Sequence, residues 1–400
     1  MKLRCLILAA SLMVPAGAAL AEGDAVAGAK VRTGPAGAKF YAPPKSLLKG
    51  KHGSLIWVRK ANKTTTLSSG SSSWVVLYRS VSTKGKPIAV SGLVTLPKGK
   101  APKGGWGVVS WSHGTTGIAD VCAPSRDTPS GPAHPYIDYV DPQLNAMLAQ
   151  KYAVVRSDFE GLGTAGPHPY LVGVSEGRGS VDIIRAAREL NKGVGTKWVS
   201  AGHSQGGQAA LFAGSIARKW APELKLKGVA AFAPASHIGT IVSLAKNFHA
   251  PGGSLSGTGS LFLVGAAAGA PSVELASILG PAAKALVPDV DRKCLGGLSA
   301  ADSWGGLAPA DLLRPDADLT ALNTVLADNE PSALKLTVPV LLLQGDADAA
   351  VFKSFTDLLD ASLKGNGASV DYKIYAGAGH YPLLAAAEPD AVAWLQERLG

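Results

Sequence analysis

The stretch from Lys197 to Gly214 constrains the fold of this chain more than any other. Its early residues, Trp198 to Ala201, are typical of a short buried strand, and a Gly-x-Ser-x-Gly motif with Ser204 at its centre follows directly. The residues after the motif open a helix of small side chains. A strand, turn and helix of this kind hold the serine, strained, at the apex of a tight turn that only glycines can flank. We therefore predict a nucleophile elbow, with Ser204 exposed at the edge of a sheet.

Two segments are positioned to stabilise a negative charge beside Ser204. The elbow aims the N-terminus of the following helix, which begins at Gln205, at any oxyanion that forms there. A second donor is expected where the predicted strand Trp106–Ser112 runs into His113-Gly114-Thr115-Thr116-Gly117. We assign this donor to the N–H of Thr115, with the adjacent Thr116 as the alternative.

The candidate catalytic residues occur in the order Ser204, acid, His380, which is the order of α/β-hydrolases. The chemistry needs an imidazole to take the serine proton and a buried carboxylate to orient that imidazole. His380 lies in a glycine-rich loop after the last predicted strand. The predicted acid is Asp348, because it stands past the turn that follows the apolar strand Val338–Gln344. The alternative, Asp346, is expected to bond the backbone of its own turn.

Strands and helices alternate around the elbow, which predicts an α/β-hydrolase fold with a mostly parallel central sheet and helices on both faces. Between Ala233 and about Ser332 the alternation lapses, and an insertion of this size between two strands is typical of a helical cap over the site. The expected organisation is a signal peptide (1–21), a mostly irregular N-terminal lead-in (22–72), the first part of the core (73–232), the cap (233–332) and the second part of the core (333–400).

Composition and charge exclude several kinds of protein. The 400 residues are 46% hydrophobic, enough for a large core, and the net charge of +10 comes from scattered basic residues. We therefore expect no nucleic-acid partner and at most peripheral contact with lipid surfaces.

The Gly-x-Gly-x-x-Gly run from Gly161 to Gly166 is rejected as a dinucleotide site, because Pro167 and Pro169 stand where a helix should begin. Histidines and acids show no metal-ligand spacing, so neither a metal nor another cofactor is expected.

The N-terminus has the pattern of a secretory signal. A positively charged start precedes the apolar stretch Leu6–Val14 and an Ala-x-Ala cleavage site that ends at Ala21. The mature chain is therefore expected to be secreted or periplasmic. Two cysteines remain after cleavage, Cys122 and Cys294, and in an oxidising compartment they could pair.

Several motifs along the mature chain are shared with one known family. They are Phe40-Tyr41-x-Pro43-Pro44, His113 to Gly117 with Cys122-Ala123-Pro124-Ser125, Asp158 to Thr164 with Gly166 to Tyr170, Gly202 to Gly207, and His380. On these motifs the chain resembles the secretory lipase family of α/β-hydrolases, which includes type A lipases of a Candida yeast and many secreted bacterial relatives. The resemblance implies hydrolysis of acylglycerols and related esters, a helical cap after the elbow, no cofactor, and a disulfide between Cys122 and Cys294.

The leading hypothesis is a secreted, lipase-like serine ester hydrolase that cleaves carboxylic esters such as acylglycerols through an acyl-enzyme on Ser204. The nearest alternative is a carboxylesterase for short-chain, soluble or aromatic esters, and another is acyl transfer to an alcohol other than water. A catalytically inactive binding module of the same fold usually lacks a triad residue, and here none is missing. The expected partner is a small-molecule or lipid ester.

Overall fold

The computed structural model describes residues 31–400, so the predicted signal peptide and its cleavage site lie outside the described residues. Within this range, nine strands form one sheet in the order β1-β2-β3-β5-β4-β6-β7-β8-β9. The strands are β1 (Leu55–Lys60), β2 (Gly70–Val81), β3 (Pro87–Pro97), β4 (Trp106–Ser112), β5 (Ala153–Ser157), β6 (Val194–His203), β7 (Lys225–Phe232), β8 (Val340–Gly345) and β9 (Val370–Tyr375).

Most of the sheet is parallel, as the alternation of strands and helices predicts. The three strands β1, β2 and β3 pair antiparallel, and β3 is antiparallel to β5. From β5 across to β9, every neighbouring pair of strands is parallel. The carboxyl ends of these strands therefore lie at one edge of the sheet. The loops that follow Ser112, His203, Phe232, Gly345 and Tyr375 all leave the sheet from this edge.

Eleven α-helices accompany the strands in the described residues, with short 3-10 turns between them. They are α1 (Asp141–Ala149), α2 (Gly173–Leu190), α3 (Gln205–Trp220), α4 (Ile238–Ala245), α5 (Ser254–Gly269), α6 (Leu275–Ile278), α7 (Pro281–Leu286), α8 (Leu295–Leu298), α9 (Thr320–Asp328), α10 (Lys353–Gly365) and α11 (Pro382–Leu399). Between residues 31 and 400, none of them is both long enough and apolar enough to span a bilayer.

Helices cover both faces of the sheet because successive strand residues point to opposite sides. On β8, Leu341 and Leu343 lie in an apolar cluster with α1 and α11, whereas Val340 and Leu342 lie in a cluster with α3 and α10. Every residue of β8 is buried. The apolar run that the sequence contains here is thus a parallel strand covered on both faces, as predicted.

The lead-in contains one strand that the sequence analysis does not predict. β1 pairs with β2 at the edge of the sheet, and its side chains alternate between partly buried and buried. Phe40 and Tyr41 are buried in a small apolar cluster with Ile56 of this strand. The part of the lead-in that the structure describes is therefore attached to the core by both a strand and a buried aromatic pair.

The helical segment, residues 233–332, lies between β7 and β8 and contains the helices α4 to α9. Its helices enclose an apolar cluster that includes the buried side chains of Leu261, Leu298, Trp304 and Leu322. Tyr170, from the loop after β5, lies in the same cluster. The helical segment is therefore packed onto the loops at the carboxyl edge of the sheet rather than onto the strands themselves.

Candidate active site

Ser204 occupies a strained turn between β6 and α3. Its backbone has φ 59° and ψ −121°, a conformation that a residue with a side chain rarely adopts. Backbone hydrogen bonds tie the turn to the end of β7 and the loop after it: the Ser204 N–H donates to Phe232 O (2.9 Å), and the Ala235 N–H donates to Ser204 O (3.1 Å). A Cβ on Gly202 would overlap the backbone of Gly206, which explains why glycine stands at these positions.

His380 and Asp348 are joined directly. The Nδ1 atom of His380 lies 2.7 Å from Oδ2 of Asp348, whose side chain is 0% exposed. The other carboxylate oxygen accepts the backbone N–H groups of Ala350 (2.8 Å) and Val351 (2.9 Å). Burial by itself raises the pKa of Asp348, but the hydrogen bonds from His380 and the two N–H groups outweigh burial and hold the pKa below its ordinary value. Asp348 is thus placed as a charged partner for an imidazolium.

Asp346 lies apart from this pair. Its carboxylate accepts the N–H of Gly377 at 2.6 Å, at the start of the loop that carries His380. The expectation that Asp346 bonds its own turn is therefore wrong, because the loop after β9 crosses close enough to provide the donor. Of the two acids considered from the sequence, it is Asp348 that the structure brings into contact with His380.

The elbow and the His380 loop meet through their side chains. The ring of His203, the residue before Ser204, lies 4.3 Å from the ring of His380, centroid to centroid. Ser204 Oγ makes no hydrogen bond to His380, or to any other residue, in the range 31–400. Hydrogen bonds between a nucleophile and its base are often long or poorly aligned until substrate binds, so a serine–histidine pair does not require this bond in the unliganded protein.

Thr115 and Gln205 lie on segments that touch each other. The N-terminus of α3 is packed against the end of β4, since a Cβ on Gly206 would overlap the carbonyl of Ser112. In the described residues, neither the N–H of Thr115 nor that of Gln205 donates to another group. Two unused backbone donors on adjacent segments are what an oxyanion site requires. The Thr115 side chain is itself fixed, because its Oγ1 lies 2.6 Å from the hydroxyl of Tyr170.

A buried polar group that the sequence analysis missed lies behind Gln205. Glu176 of α2 is 0% exposed, and its Oε1 accepts both the side-chain amide of Gln205 (2.7 Å) and the N–H of Leu171 (2.9 Å). Burial raises the pKa of Glu176 to about 8. The same amide also approaches Nε2 of His168, whose pKa burial lowers to about 3. A neutral polar layer thus supports the residue after the nucleophile.

His113 belongs to the same neutral layer. Its Nδ1 lies 2.7 Å from Gly114 O, and its ring lies 4.6 Å from the ring of Phe159. Burial lowers the pKa of His113 to about 4. These contacts fix the His113 ring at the start of the loop that carries Thr115. His168 and Tyr170 could have been suspected from the sequence, because they follow β5 at the carboxyl edge of the sheet.

An apolar cavity of about 650 Å³ opens in the helical segment. Its lining includes Ile241, Val242, Phe262, Leu263 and Leu319. The Phe262 ring stacks on the ring of Tyr170 at 5.7 Å, and the Tyr170 hydroxyl contacts Thr115. Two stacked aromatic rings therefore lie between the cavity and Thr115.

The two remaining cysteines are bonded to each other. The disulfide Cys122–Cys294 joins the loop after β4 to the helical segment, across 172 residues of chain. Close to it, the N–H of Leu295 donates to Thr116 O at 2.9 Å. The disulfide that the resemblance implies is thus confirmed. In the range 31–400, the histidine, cysteine and acidic side chains form no group of three or more that could hold a metal ion.

Comparison with known proteins decides the family. The model of the secretory lipase family matches residues 137–400. The chain belongs to the secretory lipase family. Its relatives include Lipase A of Moesziomyces aphidis, 30% identical over 218 residues, which are 52% of this chain and 44% of that protein. Lipase A of Arthroderma benhamiae is 27% identical over 381 residues, 90% of this chain and 78% of that protein. The chain thus spans less than half of the first relative and most of the second.

Solved structures show the fold of this family member. Candida antarctica lipase A superposes with a TM-score of 0.72 at 19% identity, covering 85% of this chain and 80% of that chain. The rice cell wall degrading esterase LipA from Xanthomonas oryzae superposes with a TM-score of 0.70 at 18% identity, covering 88% and 99%. The predicted family and the predicted α/β-hydrolase fold are confirmed.

Proposed function

We propose that this chain is a secreted serine ester hydrolase of the lipase type, acting through an acyl-enzyme on Ser204. One observation carries the proposal above the others: a histidine bonded to a buried aspartate lies against His203, the residue that precedes a serine in a strained turn. The residues have the roles of a Ser-His-Asp triad. The family is secretory, and we propose that the signal peptide is removed after Ala21.

The reaction proceeds in two halves. Ser204 Oγ attacks the ester carbonyl carbon while His380 Nε2 takes the serine proton, and Asp348 stabilises the resulting imidazolium. The N–H groups of Thr115 and Gln205 bind the oxyanion of the tetrahedral intermediate. His380 then gives its proton to the leaving alcohol. A water molecule, activated by the same histidine, hydrolyses the acyl-enzyme and releases the carboxylic acid.

We propose that the helical segment acts as a cap and that its cavity receives the acyl chain. The cavity is apolar, and its wall at Phe262 is stacked on Tyr170, whose hydroxyl contacts Thr115. An acyl group bonded to Ser204 would extend from the oxyanion site towards this wall. Burial of each further methylene group in the cavity contributes about 0.8 kcal/mol to binding. A lipase-like preference for longer acyl chains follows.

A series of p-nitrophenyl esters from acetate to laurate tests the proposal. We expect kcat/KM to rise from acetate towards the longer acyl chains. A maximum at acetate, with loss of activity on longer esters, would instead assign the chain to the carboxylesterases for short or soluble esters. Measuring free acid and ester products in the presence of an added alcohol separates hydrolysis from acyl transfer.

A further inference from the structure

His203 has a defined partner on each ring nitrogen. It is 0% exposed, its Nε2 lies 3.1 Å from the backbone oxygen of His380, and its Nδ1 lies 2.7 Å from the hydroxyl of Tyr139. A carbonyl oxygen can only accept, so Nε2 carries the hydrogen and Nδ1 accepts from the phenol. Burial lowers the pKa of His203 well below its ordinary value, which keeps the ring neutral and this arrangement stable.

The same two side chains also pack against the loop that carries His380. The rings of His203 and His380 lie 4.3 Å apart at 44°, and the Tyr139 ring lies 4.9 Å from Tyr381, the residue after His380. Asp348 binds the imidazole of His380, but in the described residues it makes no hydrogen bond to the His380 backbone. The backbone contact comes from His203 alone among the side chains that the structure describes between residues 31 and 400.

Tyr139 also lies against the loop that carries Thr115. A Cβ built on Gly114 would stand 2.7 Å from the Tyr139 hydroxyl and 3.5 Å from the carbonyl oxygen of His203. One phenol therefore borders the Thr115 loop, the elbow and the His380 loop. These three segments are separated by long stretches of chain, and only the fold brings them together.

We propose that Tyr139 and His203 are positioning residues, a hydrogen-bonded pair that holds the His380 backbone against the elbow so that Nε2 of His380 can reach Ser204. This role rests on the proposed function. An apolar side chain of similar volume in place of His203 would fill the same space but would leave the His380 carbonyl without its donor. The catalytic imidazole would then be held only by Asp348 at one end, and its position relative to Ser204 would vary more.

Four variants test the pair on a p-nitrophenyl ester. His203→Leu keeps bulk without polar atoms, His203→Gln keeps an N–H donor, and Tyr139→Phe removes only the hydroxyl. Tyr372→Phe is the matched control, because Tyr372 is also partly buried and its hydroxyl donates to Asp357 (2.8 Å), outside the site. Circular dichroism and melting temperature establish that each variant is folded.

We expect His203→Leu to lower kcat about 100-fold, since a displacement of about 1 Å can cost this much. Tyr139→Phe should lower kcat about 10-fold, and His203→Gln should recover at least about 10-fold relative to His203→Leu. KM should stay within about twofold throughout, because substrate contacts are unchanged. The rate at which a fluorophosphonate inactivates the protein should fall by the same factors as kcat. Tyr372→Phe should change none of these rates.

The outcomes separate this inference from the proposed function. Wild-type protein without ester hydrolysis would overturn the proposed function itself. The wild-type protein could instead be active while His203→Leu and Tyr139→Phe lower only the melting temperature and leave kcat unchanged. That result would overturn the positioning role alone. Equal losses in His203→Leu and His203→Gln would also contradict it, because the retained N–H would then contribute nothing.

Discussion

The loops at the carboxyl edge of the sheet and the helical segment bury their side chains in opposite ways. The edge loops, together with the first turn of α2, bury polar groups such as Asp348 and Glu176 and bond them to backbone or side-chain donors. The helical segment encloses an apolar cavity and leaves Leu244 and Phe248 about half exposed. In the function that we propose, the polar loops perform the chemistry and the apolar segment selects the substrate.

Ser204→Ala should produce the largest effect, because it removes the nucleophile from the polar side while changing little packing. We expect hydrolysis to fall by about 10⁴-fold or more, leaving only what binding and the oxyanion donors supply. The backbone strain at residue 204 remains in this variant, and only a polar atom is lost. The melting temperature should therefore stay near that of the wild-type protein or rise. A variant that keeps a tenth of the activity would remove Ser204 from the mechanism.

Replacing each acid in turn by asparagine compares two neighbouring carboxylates on the same loop. Asp348→Asn should lower kcat about 10³- to 10⁴-fold, because an amide cannot hold the His380 tautomer or stabilise the imidazolium. Asp346→Asn should cost far less, since its contact is with the N–H of Gly377. Steady-state rates of the two variants decide between them, and the reverse order of losses would transfer the acid role to Asp346.

A larger side chain in the cavity tests the other side of the comparison. Val242→Trp adds volume to the apolar lining, so kcat/KM for a laurate ester should fall about 10-fold while that for acetate stays unchanged. Leu358→Trp, on the exposed surface of α10, is the control and should alter neither rate. Equal losses on both esters would show that the helical segment does more than accommodate the acyl chain.

The disulfide joins the two regions, so its removal should affect both. Closing so long a loop contributes up to roughly 5 kcal/mol in the chain-entropy model, and Cys122→Ser should lower the melting temperature accordingly. Because Thr116 and Cys122 contact the segment at Cys294 and Leu295, we also expect a few-fold lower kcat at temperatures where circular dichroism shows folded protein. An unchanged kcat would restrict the bond to a stabilising role.

The smallest effect concerns the buried carboxyl behind Gln205. The pKa of Glu176 rises from its ordinary value of 4.5 to about 8 in the folded protein, so only the unfolded chain loses this proton between those two values. The free energy of unfolding should therefore fall as pH rises from about 4.5 to about 8. Glu176→Gln should remove this contribution to the pH slope of the melting temperature, whereas Glu274→Gln, at an exposed site, should leave it in place. Identical slopes in all three proteins would contradict the raised pKa.

Short sequence patterns predict those parts of the fold whose stability depends on neighbouring residues in the chain. β4 begins and ends at the predicted residues, because it is a short apolar run bounded by turns. β1 was missed although its side chains alternate, because it lies in a segment rich in lysine and glycine. Its stability depends on pairing with β2, which no local pattern shows.

The candidate site likewise contains residues that a local pattern identifies and residues that only the fold brings together. Motif and chain order were enough to nominate Ser204, Asp348 and His380, since these residues occupy fixed places in strand–turn–helix units. Glu176 was not nominated, because its sequence neighbours mark it only as part of an amphipathic helix. Its partner Gln205 stands 29 residues away, and only the packing of α2 on α3 brings the two together.

Labelling with a fluorophosphonate, followed by mass spectrometry of the digested protein, tests the central claim most directly. The account predicts one adduct, on the peptide that contains Ser204, formed at a rate that falls strongly in His380→Gln and Asp348→Asn. Loss of ester hydrolysis should follow the same time course as adduct formation. An adduct on another residue, or hydrolysis that continues after Ser204 is fully labelled, would contradict the assignment of Ser204 as the nucleophile.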